Sequence, residues 1–224
     1  PQKNDYLQHN IFENSMRLTN MFDQLSSIEK LEILDLNLVM PDHFKSYYVN
    51  FFVSLVRRIP NLVSLGLSLT TNLEELSDND EMELYFNLDH FLNSILSTQV
   101  EWISIQAPFF KLENPNLKQR FSKLRNLSLV SQQKNEDKPH LHRISSKTIH
   151  NLLRSLDQSI FNMLILNIAE VISEADLITR FEILKKFQRL TDYVAQYKVE
   201  VLSKEGVKII GEALREIKVL RSYS

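Results

Sequence analysis

The 224-residue chain contains no cysteine, which excludes disulfides, thiolate chemistry and zinc sites with cysteine ligands. It contains only three glycines, so few positions suit a loop that cradles phosphate groups. No apolar run reaches the roughly 18 residues that cross a bilayer, and no apolar signal core lies near the N-terminus. These absences favour a cytoplasmic protein that binds no cofactor and no membrane.

The charges are nearly balanced, with 26 basic and 28 acidic residues and a net charge of −2. Such a chain exerts no broad attraction on nucleic acid. One basic stretch contains Lys118, Arg120, Lys123 and Arg125, but no aromatic residues are interleaved with it. We therefore do not expect nucleic-acid binding.

Motifs that carry enzyme or metal chemistry are also missing. The sequence has no glycine-rich phosphate loop, no nucleophile elbow and no HExxH. His140, His142 and His150 form a histidine cluster without further ligands at a suitable spacing, and the acidic segment 72–83 lacks the central glycine of a calcium loop. We expect neither an enzyme nor a metal site, although a triad assembled from distant residues would leave no motif.

What the chain does contain is a short recurring phrase: apolar, two variable residues, apolar, one variable residue, apolar. Its copies are Leu31–Leu36, Leu62–Leu67, Val100–Ile105, Leu124–Leu129 and Phe161–Leu166, with a new start at Leu220 and a weaker candidate near residue 192. Apolar residues at helical spacing between the copies predict helices over 11–25, 41–59, 81–97, 147–158 and 174–189. A strand followed by a returning helix, repeated along the chain, predicts an α/β solenoid.

The last unit is the most regular. Ser203 stands where a helix N-cap is expected, Gly206 follows, and Val207, Ile210, Leu214 and Ile217 form an aliphatic stripe. This passage resembles the helix half of leucine-rich repeats of the ribonuclease-inhibitor type, and the strand phrases resemble the strands of such repeats. The resemblance covers about residues 25–224 as a pattern and 202–224 in detail. It implies a curved leucine-rich-repeat solenoid with a parallel sheet on the concave side and helices on the convex side.

The resemblance implies a single array over residues 1–224. Residues 1–30 would form an N-terminal capping helix region, residues 31–224 would form six to seven irregular repeats, and the whole would be a fragment of a longer chain. Repeats of this type usually place asparagine or cysteine eight residues after the first leucine. This chain places Val39, Thr70, Pro108, Gln132 and Ala169 there. Only Thr70 and Gln132 can make part of the hydrogen bonding that the turn requires.

In parallel strands the apolar positions of each phrase would face the core and the alternate ones the concave face. The predicted outward residues are Ile33, Asp35, Asn37, Ser64, Gly66, Ser68, Trp102, Ser104, Gln106, Asn126, Ser128, Val130, Met163, Ile165 and Asn167. Six of them are our candidates for binding a protein partner: Asp35, Trp102, Gln106, Met163, Ile165 and Asn167. A tryptophan that faces out of a strand suits an interface centre, although an insertion of the same chain would cover it equally well.

These patterns predict a non-catalytic protein–protein interaction scaffold, or a structural subunit of a larger hetero-complex. The alternative is the substrate-recognition repeat domain of a ubiquitin ligase receptor, although residues 1–30 contain nothing like an adaptor-binding motif. An enzyme or a GTPase activator built on the same repeat would need an arginine or acid on a loop at the sheet edge, and no residue marks itself for that role.

Overall fold

The computed structural model describes residues 17, 20–21, 23–25, 27–28, 30–39, 47–70, 85–96, 98–112, 121–131, 144–199, 201–217 and 222–223. The strands are β1 (Ile33–Val39), β2 (Ser64–Thr70), β3 (Tyr85–Asn87), β4 (Trp102–Ala107), β5 (Phe109–Lys111), β6 (Asn126–Ser131), β7 (Met163–Ile172), β8 (Asp192–Val199) and β9 (Ser222–Tyr223). The helices are α1 (Tyr47–Arg58), α2 (Leu88–Ile95), α3 (Ser146–Ser155), α4 (Glu174–Leu184) and α5 (Lys204–Glu216). Those residues between 17 and 25 that are described are helical as well.

The fold is α/β, with a seven-stranded sheet of strand order β1-β2-β4-β6-β7-β8-β9. Each pair of neighbours in this sheet is parallel. Parallel neighbours require a crossover connection. One helix lies in each of these connections except the one between β4 and β6, whose described residues contain β5 and no helix. Each strand of the large sheet thus pairs with the next one along the chain, as the recurring phrase predicts.

The strand register aligns the apolar residues of successive phrases. Leu34 pairs with Leu65, Leu65 with Ile103, Ile103 with Leu127, and Leu127 with Leu164. All five are at most 6% exposed, so the prediction that they stack in the core of adjacent parallel strands is confirmed. The first apolar residue of a phrase lies two positions before its strand, and Leu62, Val100, Leu124 and Phe161 are buried there.

Serine residues begin three of the helices. The hydroxyl oxygens of Ser145, Ser173 and Ser203 accept hydrogen bonds from backbone amides of the first turns of α3, α4 and α5, at 3.2, 3.1 and 3.0 Å. A cap of this kind satisfies one of the amides that a helix start leaves without an internal partner. The N-cap predicted at Ser203 is confirmed.

A carboxylate joins the last two helices. Glu174, in the first turn of α4, accepts hydrogen bonds from the backbone amide and the hydroxyl of Ser203, at 2.5 and 2.8 Å. Both bonds lower the pKa of the Glu174 carboxyl, and the bond from the Ser203 backbone amide has the larger effect. A Cβ on Gly206 would stand 2.5 to 2.9 Å from the same carboxylate, so glycine allows the close approach. The start of α4 is therefore tied to the start of α5.

Two features differ from the sequence-based expectations. Residues 85–87 form β3, which pairs with β5 in a separate two-stranded parallel sheet. Among the described residues of the helix predicted over 81–97, which are 85–96, those from 88 to 95 are helical. Val207, predicted to face the core with Ile210 and Ile217, is 54% exposed, whereas those two residues are buried. The inward positions of α5 are Gly206, Ile210 and Ala213, followed by Ile217 at its C-cap, so the buried stripe begins at Gly206 and Val207 lies beside it.

At the turn after β2, the Thr70 hydroxyl donates a hydrogen bond to the Leu38 carbonyl oxygen of the neighbouring strand at 3.4 Å. Thr70 thus makes part of the bonding expected at this position. Gln132 lies outside the described residues.

Candidate functional site

The large sheet has one face buried against the helices and one face open. The open face consists of the fifteen predicted outward residues together with Asp192 and Val194 of β8. All of them are partly or fully exposed except Ser128 on β6, which was predicted to face outward but is only 6% exposed. The strand register places them in rows across the sheet. Exposure alternates along β1, β2 and β4, where the inward residues are the less exposed ones. The predicted division of each phrase into an inward and an outward set therefore holds in these strands.

Trp102 lies near the middle of the open face. It is 43% exposed, and its neighbours in register are Ser64 on β2 and Asn126 on β6. A serine and an asparagine are too small to cover an indole, so the ring stands above the row. Large apolar groups with this exposure, surrounded by small polar side chains, are the usual anchors of protein interfaces.

Met163 and Ile165 extend the apolar surface beyond Asn126. Met163 pairs with Asn126, so it lies two strands from Trp102, about 10 Å away at the usual strand spacing. Ile165 is two residues further along β7 and pairs with Val194. Both side chains are partly exposed. Trp102, Met163 and Ile165 therefore form one discontinuous apolar group on neighbouring rows.

The polar candidates Gln106 and Asn167 share the next row. Both pair with Val130, which lies between them. Gln106 is exposed and Asn167 is partly exposed. Their amide groups offer both donors and acceptors to a partner, and together they border the apolar group.

The sixth candidate, Asp35, lies on β1, away from the apolar group, and shares a depression with Gln106. It pairs with Gly66, and a Cβ on Gly66 would overlap Asp35 Oδ1 and stand 3.0 Å from Cγ. Its carboxylate therefore leans over the glycine. A depression of about 250 Å³ opens there, lined by Asp35, Asn37, Gly66, Ser68, Ser104 and Gln106 among others. Sequence reasoning missed this depression; the available signal was a glycine inside a strand, which often marks a close approach.

His150 belongs to the histidine cluster of the sequence. It lies on α3, is 4% exposed, and its Nε2 has no hydrogen-bond partner among the described residues. Burial is the main cause that lowers the pKa of His150, and the positive charge of Arg180 on α4 is the second. Asp176 raises this pKa by a smaller amount, and Arg154 lowers it slightly further. No group of three metal-ligating residues occurs in the described part of the chain. His140, His142 and the acidic segment 72–83 lie outside that part.

The lowered pKa of His150 predicts a pH-dependent stability. The folded chain keeps this imidazole neutral, whereas the unfolded chain protonates it near pH 6.5. Above about pH 6.5 His150 is neutral in both states and does not lower the free energy of unfolding. As the pH falls below that value, the unfolded chain binds the proton more tightly than the folded chain, so the free energy of unfolding falls. We expect the urea midpoint to fall between pH 7.5 and pH 5.5, and the fall to be smaller in His150→Gln. His90→Gln, at an exposed histidine that bonds Asn50, should retain the wild-type fall. An equal fall in both variants would contradict the assignment.

Of the basic stretch, Lys123 and Arg125 are described and Lys118 and Arg120 are not. Arg125 Nε lies 3.2 Å from Glu101 Oε2, so its charge is already paired. In the part of the chain that the structure describes, no helix is long and apolar enough to cross a membrane.

Comparison with known proteins gave one weak structural likeness. No family model matches the chain, and no curated protein matches it. Among solved structures, the tropomodulin C-terminal domain of Caenorhabditis elegans aligns over 89% of this chain and 92% of its own length, with 12% identity and a TM-score of 0.35. At that TM-score the likeness carries no weight, so the chain's own residues are the basis for any function.

Proposed function

We propose that the chain is a diverged leucine-rich-repeat solenoid and acts as a non-catalytic protein-interaction module. Its open face would hold a protein partner, and the protein would serve as a scaffold or structural subunit of a larger assembly. The single observation that carries this proposal is the exposure of Trp102 in the middle of a sheet face whose opposite side carries the helices.

The repeat assignment is supported by the regular register. The first inward residue of each strand pairs with its counterpart in the next from Leu34 to Leu164, and β8 continues the row with Tyr193. The second inward row runs in the same way from Leu36 to Leu166 and Ala195. One strand–helix unit cannot bury its apolar face alone, so stacked units share a continuous core.

The interaction role is supported by the composition of the open face. Small polar residues occupy most of its positions. Trp102, Met163 and Ile165 lie on neighbouring rows of β4 and β7, and Ile33 on β1 is a further exposed apolar residue at 65%. An apolar centre with a polar surround is the usual arrangement of a protein interface.

The direct test replaces the central aromatic residue. The tagged protein is purified from its source, the partner is identified by mass spectrometry, and the Kd of the pair is measured with recombinant chains. Trp102→Ala should weaken binding by about 2 kcal/mol or more, which is about 30-fold in Kd, as central aromatic anchors do. Its melting temperature should stay close to that of the wild type because the indole points away from the core.

The matched control is Val207→Ala, which truncates a similarly exposed apolar residue on α5 (54% against 43%). It should leave the Kd unchanged. If Trp102→Ala changes neither binding nor melting, the interface lies on the helices or loops. A collapsed melt for Trp102→Ala would show that the indole belongs to the core.

A further inference from the structure

The depression beside Gly66 has a shape that the neighbouring strands do not repeat. Every other residue of its row on β1, β4, β6, β7 and β8 carries a side chain, whereas Gly66 on β2 carries none. The floor of the depression is therefore strand backbone, and its wall on one side is the Asp35 carboxylate that leans over the glycine. The other sides are formed by Asn37, Ser68, Ser104 and Gln106.

The volume of the depression limits what can enter it. Pockets that bury a drug-sized molecule usually enclose about 300–1,000 Å³, and this one is open to solvent and holds about 250 Å³. That space suits one long side chain rather than a whole cofactor or metabolite.

The charge around the depression limits the occupant further. The open face contains two carboxylates, Asp35 and Asp192, and none of its seventeen residues is basic. The two acids lie on β1 and β8, far apart in the strand order, so only Asp35 borders the depression. Hydroxyl and amide oxygens of the serines and Gln106 add further acceptors. Such a set of acceptors favours a cationic donor, because a bond between opposite charges is the stronger kind of hydrogen bond.

We infer that the depression between Asp35 and Gly66 receives a lysine or arginine side chain of the protein partner. This inference rests on the proposed function, since it names the chemistry of the partner that would contact the same face. The basic side chain would lay its aliphatic stem along the Ser68 and Ser104 side of the depression and place its charged end against the Asp35 carboxylate that leans over Gly66. Trp102 would supply the apolar anchor, and Asp35 would fix the orientation of the partner on the sheet.

The test adds a defined probe, Nα-acetyl-lysine amide, whose side-chain ammonium group is free, to the 224-residue chain. Its binding is followed by residue-resolved NMR. We expect saturable shifts at the backbone amides of Gly66, Ser68 and Ser104. Asp35→Asn should weaken this binding about two- to fivefold, the upper part of the range for losing one exposed charge pair. Asp192→Asn, the same change elsewhere on the open face, should leave it unchanged. The uncharged probe N-acetyl-norleucine amide, which has a similar stem, should give no saturable shifts.

Absence of saturable shifts at the depression, or equal binding by Asp35→Asn and the wild type, would overturn the inference. Gly66→Ala provides a second variant, because its methyl group would displace the carboxylate and reduce the binding even where Asp35 is retained. Its melting curve shows whether it is folded. A folded Gly66→Ala that binds like the wild type would also count against the inference.

The same variants separate this inference from the proposed function once the partner is identified. A loss of partner affinity in both Asp35→Asn and Trp102→Ala supports both. If only Trp102→Ala loses affinity, the inference that a basic side chain of the partner binds beside Asp35 is overturned, and the proposed interaction surface is retained. No loss in either variant overturns the proposed surface and the inference that rests on it.

Discussion

Replacing Leu65 by aspartate is expected to abolish cooperative folding of the chain. Leu65 is 1% exposed and lies between Leu34 and Ile103 in the inward row of the sheet. An ionised carboxylate there would have no partner, and the cost of burying it, or of protonating it, is several kcal/mol. Native domains are stable by only about 5–15 kcal/mol. Circular dichroism during heating should therefore show no native transition, or one at a much lower temperature.

The matched control places the same residue one position away. Ser64→Asp puts a carboxylate on the open face of the same strand, between Ile33 and Trp102 in register. It should melt near the wild-type temperature because its charge remains in water. A stable Leu65→Asp beside an unfolded Ser64→Asp would mean that the strand has the opposite face in the core, since a shift by one residue exchanges the two faces.

Truncating Phe86 to alanine is expected to cost about 3–5 kcal/mol of unfolding free energy, as large aromatic-to-alanine changes in cores do. Phe86 is 0% exposed, and its ring centroid lies 5.5 Å from that of Phe91, 6.3 Å from that of Phe110 and 6.4 Å from that of Phe52. The cluster joins α1 and α2 to the small sheet of β3 and β5, so its loss removes ring contacts and leaves a cavity.

Urea unfolding of Phe86→Ala measures this loss. The comparison variant is Ile33→Ala, which truncates an apolar side chain that is 65% exposed on β1, and its effect should stay within about 0.5 kcal/mol. A loss below about 1 kcal/mol in Phe86→Ala would show that the four rings are not tightly packed.

The large sheet was predictable because its phrase repeats a single physical requirement. Each copy needs two or three apolar residues on one side of a strand, and Leu65 with Leu67, or Ile103 with Ile105, satisfies this need with a period of two. The weaker copy near residue 192 is also a strand, because Leu190 and Tyr193 provide the buried positions. The serine caps were predictable for a similar reason, since their bonding to the first helical turn is local.

The small sheet was not predictable from the same pattern. A three-residue strand such as Tyr85–Asn87 is too short to show an alternation, and the apolar residues Leu88, Phe91 and Ile95 that follow continue a helical spacing. For this reason the predicted helix wrongly included the residues of β3. What decides the conformation there is the pairing with Phe109–Lys111, a contact across more than 20 residues.

The candidate site was predictable only in part. Alternation along the strands is sufficient to assign Trp102, Met163 and Ile165 to one face of the sheet. The depression depends on which residue of β1 lies beside Gly66, and that follows from a register across 31 residues of sequence. The phrases aligned the strands, but the direction of the Asp35 side chain over the glycine is a matter of packing that no local pattern encodes.

The solvent accessibility of the single tryptophan is the measurement that bears most closely on the open face. Because Trp102 is the only tryptophan of the chain, the indole fluorescence of the folded chain and its quenching by acrylamide come from one position on that face. We predict a red-shifted emission and efficient quenching in the native chain, with only a modest further increase on unfolding in urea. A blue-shifted emission that is shielded from acrylamide until the chain unfolds would contradict the open face and the function proposed for it.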